Sequence, residues 1–170
     1  AFKMFGYNVK TLIYNLDELI NYGELTKDLD PSLVMKPEIE IQNEFDKEYL
    51  LTKEKEIFGF YITLHPTSLY KNDKNYTSLS SVNKYFNKNI TTIVLVEKIR
   101  VIKTSKGENM CFMTCSDEEN TLEFICFPKT YNLYNDTSRG DIIEVEGKVE
   151  KRLNELQIIV NKIKKINKEK

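Results

Sequence analysis

Five apolar-rich segments of strand length alternate with turn signals between residues 90 and 166. Their β-branched and aromatic residues are typical of strands, and each segment ends at turn-forming residues. Ser105-Lys106-Gly107-Glu108 is a tight-turn sequence, which predicts that the first two strands form a hairpin. The predicted strands cover residues 91–102, 110–116, 121–127, 142–151 and 156–165.

One short helical insert precedes the fourth predicted strand. Five strands of this length with such an insert fit an OB-type barrel, a fold that usually grips an oligonucleotide or another extended ligand. The expected fold class is mainly β with appended helices (α+β): a five-stranded OB-fold barrel preceded by a helical segment. The predicted division is a helical segment and connector over residues 1–66, a linker with a short helix over 67–88, and the barrel over 89–170.

Two longer helices are predicted upstream of the barrel. The first covers residues 8–22, with Asn8 as its N-cap and Gly23 where a helix commonly stops. The second covers about 44–64 and ends before His65-Pro66, because proline disfavours helical geometry in the residue before it. The remaining upstream predictions are an extended, proline-containing connector over residues 26–40 and a short helix over 79–86.

The charge balance limits what kind of nucleic-acid binder this chain can be. Lys and Arg number 25 against 26 Asp and Glu, a formal net charge of −1. From residue 89 onward basic and acidic residues are also nearly balanced. The balance argues against an indiscriminate, high-affinity binder. Any nucleic-acid contact must come from locally placed charge, with modest affinity and marked salt sensitivity.

Cysteine usage favours a reducing compartment. Cys111, Cys115 and Cys126 all lie within predicted strands, no Cys-x-x-Cys pair exists, and the chain has one histidine. Small buried thiols fit this pattern better than a zinc site, so no metal site is predicted. No apolar run approaches the ~20 residues that cross a bilayer, and no signal-peptide pattern is present. We expect a cytoplasmic protein, and the abrupt start at Ala1 favours a piece of a longer chain.

The first predicted hairpin carries the candidate nucleic-acid site. Lys98 and Arg100 share one face of the first strand, while Lys103 and Lys106 flank the turn. In the second strand, a run of small or flexible apolar residues suits the barrel interior, which turns Phe112 outward where a base can stack on it. The alternative is that Phe112 belongs to the core and the lysines only solubilise the hairpin.

Two further residues are candidates for the same interface. Phe127 ends the third strand, whose alternation allows either face, so a core position is equally open. Arg152 lies in the last hairpin, whose loop often borders the groove of such barrels, and a solvated loop residue is an equal alternative. Catalytic residues are not expected. Asp28-Leu29-Asp30 lies in a connector instead of on a rigid sheet, and His65 suits a capping or packing role.

Several motifs, taken in order, resemble one protein family. Arg100 to Gly107, Met110 to Thr114 and Phe127-Pro128 resemble the OB domain of bacterial DNA polymerase III alpha subunits of the DnaE type. Residues 54–66, with their terminal His-Pro, resemble the segment that precedes this domain. Residues 5–13 resemble the last helix of the helix-hairpin-helix region before it.

The resemblance implies that the chain is the C-terminal part of a replicative DNA-directed DNA polymerase, a nucleotidyltransferase. The OB domain would contact the single-stranded DNA template. This fragment would be catalytically inert and hold no cofactor, because the divalent metals belong to the absent catalytic domain. Leu64 and Val94 depart from the family, which often has glycine at both positions. The family's clamp-binding motif is not recognisable; its nearest position offers Leu33, Val34 and Met35 as possible anchors.

Two other functions stay open at this point. Near-neutral charge also suits a protein-interaction module that binds the sliding clamp or other replisome subunits. A generic OB hairpin also resembles the anticodon-binding barrel of class II tRNA synthetases, so an RNA or tRNA binder is the third interpretation.

Overall fold

The structure is a computed structural model that describes residues 6–71 and 76–166. Phe5, at the start of the upstream motif, and residues 167–170, at the end of the predicted barrel, lie outside the described residues. Five strands begin and end within two residues of the predicted positions. They are β1 Asn89–Lys103, β2 Asn109–Ser116, β3 Thr121–Cys126, β4 Ile142–Arg152 and β5 Glu155–Lys165.

These strands close into a barrel in the order β1-β2-β3-β5-β4. Neighbouring strands run antiparallel except β3 and β5, which are parallel. A short helix, Pro128–Leu133, connects β3 to β4 at the predicted place. The predicted fold class, a five-stranded OB barrel with appended helices, is confirmed.

The barrel interior follows from alternation along the strands. Cys111, Met113 and Cys115 of β2 point inward and are buried, while Phe112 and Thr114 between them stay partly exposed. Each large aliphatic or aromatic side chain buried in this way contributes ~1.5–3 kcal/mol to folding. The core is completed mainly by Val94, Val96, Phe124, Ile143, Val145, Val149, Ile158 and Val160.

A 3-10 helix at Leu79–Tyr85 also packs into the barrel core. Leu79 and Val82 are buried there, and the backbone N–H of Leu79 donates to Oδ2 of Asp117 at 2.9 Å. The short helix predicted at 79–86 is therefore present as a 3-10 helix. Its apolar side chains form part of the barrel core. This packing differs from the linker role that the polar composition of residues 67–88 predicts.

The first predicted helix is divided at Asn15 into α1 Val9–Tyr14 and α2 Leu16–Leu25. The buried Asn15 amide donates to the carbonyl oxygens of Thr11 and Glu40, and its Oδ1 accepts from the Glu40 N–H. These bonds to a distant segment stabilise a non-helical backbone at Asn15, so one continuous helix was the wrong prediction.

The ends of the predicted helices are partly confirmed. Asn8 caps α1, with its Oδ1 accepting from the Thr11 N–H at 2.8 Å. Gly23 was the wrong stop, because α2 continues two residues beyond it. The second helix, α3 Lys47–Phe58, ends earlier than predicted because Gly59 adopts a left-handed conformation (φ +80°) and caps it.

The chain divides into two compact units, Ala1–Gly59 and Phe60–Lys170. The first contains α1, α2, α3 and a 3-10 turn at Pro31–Leu33; the second contains the barrel, so its boundary precedes the predicted one at residue 66. Among the described residues, no helix is long and apolar enough to cross a membrane.

Candidate nucleic-acid interface

The outward-facing residues of β1, β2 and β3 form one continuous surface. Lys98 pairs with Thr114, and Arg100 pairs with Phe112. On the other side of β2, Phe112 pairs with Ile125 and Thr114 with Glu123. Directly paired residues share a face of the sheet, so these side chains stand together. We call this surface the outer wall: Lys98, Arg100, Phe112, Thr114 and Glu123, with Ile125 on the same face of the sheet but only 2% exposed.

Arg100 and Phe112 are in direct contact on the outer wall. The guanidinium carbon of Arg100 lies 5.0 Å from the centroid of the Phe112 ring, within the range of a cation–π interaction. The Phe112 ring is half-buried on the wall, and Arg100 is exposed. The predicted outward orientation of Phe112 thus agrees with the structure, and the interior alternative does not. Whether these residues bind a ligand stays a prediction.

The two lysines near the β1–β2 turn extend this cationic region beyond the barrel. Lys103 pairs with Asn109 and is exposed, and Lys106 lies in the turn that follows. The turn is closed by bonds from the Thr104 N–H to the Glu108 carbonyl and from the Gly107 N–H to the Thr104 carbonyl. Alternation places Lys103 on the opposite side of the ribbon from Arg100, so the four predicted cations do not share one face.

Phe127 joins the outer wall, whereas Arg152 lies apart from the β1–β2 turn. Phe127 is 47% exposed at the N-cap of the β3–β4 helix, and alternation from Ile125 places it on the same side as Phe112. Arg152 pairs with Glu155 at the tip of the β4–β5 hairpin. That tip lies near the end of β2 opposite to Lys106, because the start of β5 runs beside the start of β3.

Acidic residues limit the positive charge of this surface. Glu123 is exposed on the outer wall beside Thr114. Farther around the barrel, Lys148 is paired with Glu150 at 3.0 Å. Glu123 was missed as part of the candidate interface, although its place two residues before Ile125 in an alternating strand could have revealed it. Arg100 and Lys98 therefore act as local cations on a nearly balanced surface.

The three predicted partner-binding residues lie in the first unit, around the 3-10 turn. Leu33 and Met35 are 80% and 92% exposed, and Val34 is partly buried. Two such exposed apolar side chains are available for contact, but the structure assigns them no ligand. Their role stays a prediction.

A hydrogen-bonded chain holds the His-Pro segment against the barrel, and sequence patterns did not reveal it. His65 Nε2 lies 3.2 Å from Oγ of Ser116, which donates to Glu97 at 2.9 Å. His65 Nδ1 lies 2.7 Å from Oγ1 of Thr67, and this hydroxyl also lies 3.0 Å from Oε1 of Glu118, so it can donate to either acceptor. Burial lowers the pKa of His65 more than the surrounding carboxylates raise it. The ring also caps the 3-10 helix Pro66–Tyr70, which agrees with the predicted capping role.

The loop after β2 is organised by Asp117. Its Oδ1 accepts from the N–H groups of Glu119 and Asn120, both at 2.9 Å, and its Oδ2 accepts from Leu79. Burial raises the pKa of Asp117, but these backbone donors together outweigh it and leave the pKa below its usual value. A carboxylate with three backbone donors fixes the loop geometry instead of performing chemistry.

The cysteines are buried thiols, as predicted. Cys111 and Cys126 are directly paired between β2 and β3, and Cys115 lies in the core. Hydrogen bonding to Cys111 raises the pKa of Cys126, and burial raises that of Cys115. Within residues 6–71 and 76–166, no three His, Cys, Asp or Glu side chains are grouped so that they could hold a metal ion. The predicted lack of a cofactor stays a prediction.

Comparisons with known proteins agree with this geometry. A family model described as an OB-fold nucleic acid binding domain matches residues 90–166. DNA polymerase III subunit alpha of Staphylococcus aureus (strain MSSA476) is 30% identical over 168 residues, covering 96% of this chain and 16% of that protein. The subunit of the same name from Bacillus subtilis (strain 168) is 29% identical over 174 residues, covering 95% and 16%.

Among solved structures, the second OB-fold domain of replication protein A from Methanococcus maripaludis is 20% identical, with a TM-score of 0.39. It covers 49% of this chain and 88% of that domain. The chain spans about one sixth of the length of the curated relatives that it matches. Residues 90–166 thus match a model of an OB-fold nucleic acid binding domain, and the chain over 96% of its length is similar to a segment of DNA polymerase III alpha subunits.

Proposed function

We propose that the outer wall binds the single-stranded DNA template within a replicative DNA polymerase. The observation that carries the proposal is the outward-facing contact between the exposed Arg100 and the half-buried Phe112. It lies on an OB barrel that matches a family described as nucleic-acid binding. The polymerase activity, and any divalent metals that it uses, would belong to the part of the parent chain beyond this segment. The segment itself would need no cofactor.

The proposed roles follow from the chemistry of the side chains. An unpaired base would stack on Phe112, and Arg100 would either move aside to contact a phosphate or stack on the base itself. Lys98, Lys103 and Lys106 would neutralise phosphates along the β1–β2 ribbon. Phe127 would extend the stacking surface, and Arg152 would contact the strand at the opposite end of β2. Because Glu123 lies on the same wall, we expect modest affinity.

The proposal predicts that Phe112→Ala and Arg100→Ala each weaken binding of a labelled oligo-dT. Loss of one stacking interaction costs ~1–3 kcal/mol, or roughly a 5- to 150-fold loss of affinity. Fluorescence anisotropy over a salt series measures both the affinity and the number of phosphates neutralised. Lys84→Ala is the matched control, because Lys84 is exposed on the 3-10 helix Leu79–Tyr85, away from the outer wall.

Two results would count against this function. One is that the wild-type chain binds no oligo-dT at low salt. The other is that Phe112→Ala, Arg100→Ala and Lys84→Ala bind equally well. Competition with oligo-U separates the RNA or tRNA alternative, because a site that reads the 2′-hydroxyl would prefer RNA.

A second candidate function is binding of a partner protein, such as the sliding clamp or another replisome subunit. The exposure of Leu33 and Met35 favours it, since exposed apolar side chains of this size are suited to inserting into a partner's pocket. A double Leu33→Ser, Met35→Ser variant should lose binding to immobilised clamp while retaining its oligo-dT affinity. Equal clamp binding by the variant and the wild type would exclude these residues as anchors.

A further inference from the structure

One edge of β1 has no neighbouring strand over its last third. β4 pairs with β1 only from Asn89 to Leu95. The last bonds on this side join the backbone of Val96 to Asp141 and Gly140. Beyond that point β1 pairs only with β2, up to Lys103. Within residues 6–71 and 76–166, no strand pairs with the other edge of this part of β1. We call residues 99–103 on this side the free edge.

The backbone groups that point to the free edge can be identified from the turn. The Thr104 N–H donates to the Glu108 carbonyl, so the backbone of Thr104 faces β2. In an antiparallel ladder successive residues face alternate neighbours. The N–H and carbonyl groups of Ile99, Val101 and Lys103 therefore point away from β2, while those of Arg100 and Ile102 pair with it. An unpaired row of this kind is a template for another strand.

The side chains around the free edge determine which strand it would accept. Lys98, Arg100, Lys103 and Lys106 flank it, and no acidic residue lies among them. At one end of the row, Glu97 already accepts a hydrogen bond from Ser116. The Val101 side chain is 47% exposed at the centre of the edge. This pattern fits a strand with acidic side chains and one apolar side chain opposite Val101.

We infer that the free edge of β1 accepts an extended acidic peptide from a partner protein as an added strand. Main-chain hydrogen bonds to Ile99, Val101 and Lys103 would supply the part of the affinity that does not depend on the sequence of the peptide, as in other cases of strand addition. The cations would select acidic sequences and disfavour basic ones. The interaction is separate from base stacking on the outer wall, because it uses the backbone at the edge and not the Phe112 ring.

The test uses the full chain and a seven-residue peptide that alternates glutamate and valine. Two control peptides are a version that is N-methylated at alternate residues, which cannot pair with a strand edge, and a version with lysine in place of glutamate. In an NMR titration, the acidic peptide should slow solvent exchange of the Val101 amide at least tenfold and leave the Arg100 amide unchanged. Neither control peptide should slow it.

Val101→Pro removes a donor from the free edge without removing a bond to β2, so it should weaken peptide binding at least tenfold. Val101→Thr keeps the backbone donor and should bind within twofold of the wild type. Phe112→Ala should also bind the peptide with an affinity within twofold of the wild type. Val101→Pro should leave the affinity for oligo-dT unchanged. The proposals of DNA binding by the outer wall and of peptide binding by the free edge can therefore fail separately.

Any one of several results would overturn the inference. They are no binding of the acidic peptide at millimolar concentration, equal binding of the N-methylated peptide, and an unchanged affinity in a folded Val101→Pro variant. If Val101→Pro does not fold, the exchange measurement and the N-methylated peptide on the wild-type chain still decide the matter. If Phe112→Ala lost peptide binding and Val101→Pro did not, the peptide would lie on the outer wall, and this result would also overturn the inference.

Discussion

Position 147 has no room for a side chain. A Cβ atom there would lie 2.5 Å from Cγ2 of Ile158 and 2.7 Å from the carbonyl oxygen of Ile159. Gly147 is buried at the point where the register between β4 and β5 shifts. The absent side chain lets the two strands approach at this irregularity, which contributes to closing the barrel.

We therefore expect Gly147→Ala to lower the free energy of unfolding by about 1–3 kcal/mol, the usual cost of overpacking a core. Urea unfolding followed by circular dichroism measures the change. Gly23→Ala is the matched control, because a Cβ at Gly23 meets nothing within 4 Å and the residue lies inside α2. Alanine there should leave stability unchanged or raise it slightly. Equal stability of Gly147→Ala and the wild type would contradict this account of the close approach.

At the scale of elements, the segment that ends in Pro66–Tyr70 is attached to the barrel through a titratable side chain. His65 links Thr67 on its own segment to Ser116 at the end of β2. Burial lowers the pKa of this histidine in the folded state. In the unfolded chain the pKa of histidine is about 6.5, so the folded state binds a proton at His65 only at a lower pH than the unfolded chain does. Between the two values the unfolded state binds more protons. The stabilising contribution of the neutral His65 ring is complete above about pH 6.5. It is lost as the pH falls through the pKa that His65 has in the folded state.

The chain has one histidine, so the slope of stability between pH 7.5 and pH 5.5 reports largely on His65. We expect the urea midpoint of the wild type to decrease over this range. His65→Gln, which stays neutral and can still hydrogen-bond, should show a clearly smaller decrease. The comparison is made at constant ionic strength. Two results would contradict this prediction. One is a urea midpoint of the wild type that rises as the pH falls; the other is an equal change of midpoint with pH in the wild type and His65→Gln. Either would mean that protonation of His65 does not destabilise the folded state.

The elements show which parts of this fold a sequence can predict. Strand positions were predicted well because inward positions such as Cys111 and Met113 alternate with partly exposed ones such as Phe112, and that pattern is local. Helix ends were predicted less well. Asn15 interrupts a helix through bonds to Glu40, a contact that no local pattern encodes. Gly59 could have been recognised as a cap, but the apolar residues after it resembled a continuing helical face.

Some features of the candidate site can also be predicted from the sequence, and others cannot. Alternation was enough to predict that Phe112 points outward, and its contact with Arg100 follows from their pairing once the register is known. The register itself depends on a bulge at Glu97, where one residue of β1 has no partner on β2. Without that bulge in view, alternation from the buried Val94 and Val96 would turn Lys98 and Arg100 inward.

At the scale of the whole molecule, the two units differ in how much apolar surface they bury. Among the described residues of the first unit, Leu51 is the one large apolar side chain that is buried, and Ile13, Leu16 and Ile20 are about half exposed or more. In the second unit the barrel core contains residues from all five strands and from the 3-10 helix Leu79–Tyr85. Hydrophobic burial is the main favourable term in folding, so we expect the two units to differ strongly in stability.

Separate expression of residues 1–59 and 60–170 tests this difference. The barrel piece should unfold in one cooperative transition, with a midpoint close to that of the barrel in the full chain, because its core is built entirely from its own residues. The helical piece should show no cooperative transition, since its longest helix, α3, has 12 residues and isolated helices of that length are marginal in water. Circular dichroism and urea titration of the two pieces and the full chain measure this directly. A cooperative transition in residues 1–59 would mean that the polar contacts of Asn15 and Asn8 stabilise the helices without an apolar core. A barrel piece that failed to fold would mean instead that the division at Gly59 is geometric only, and that the barrel depends on the residues before it.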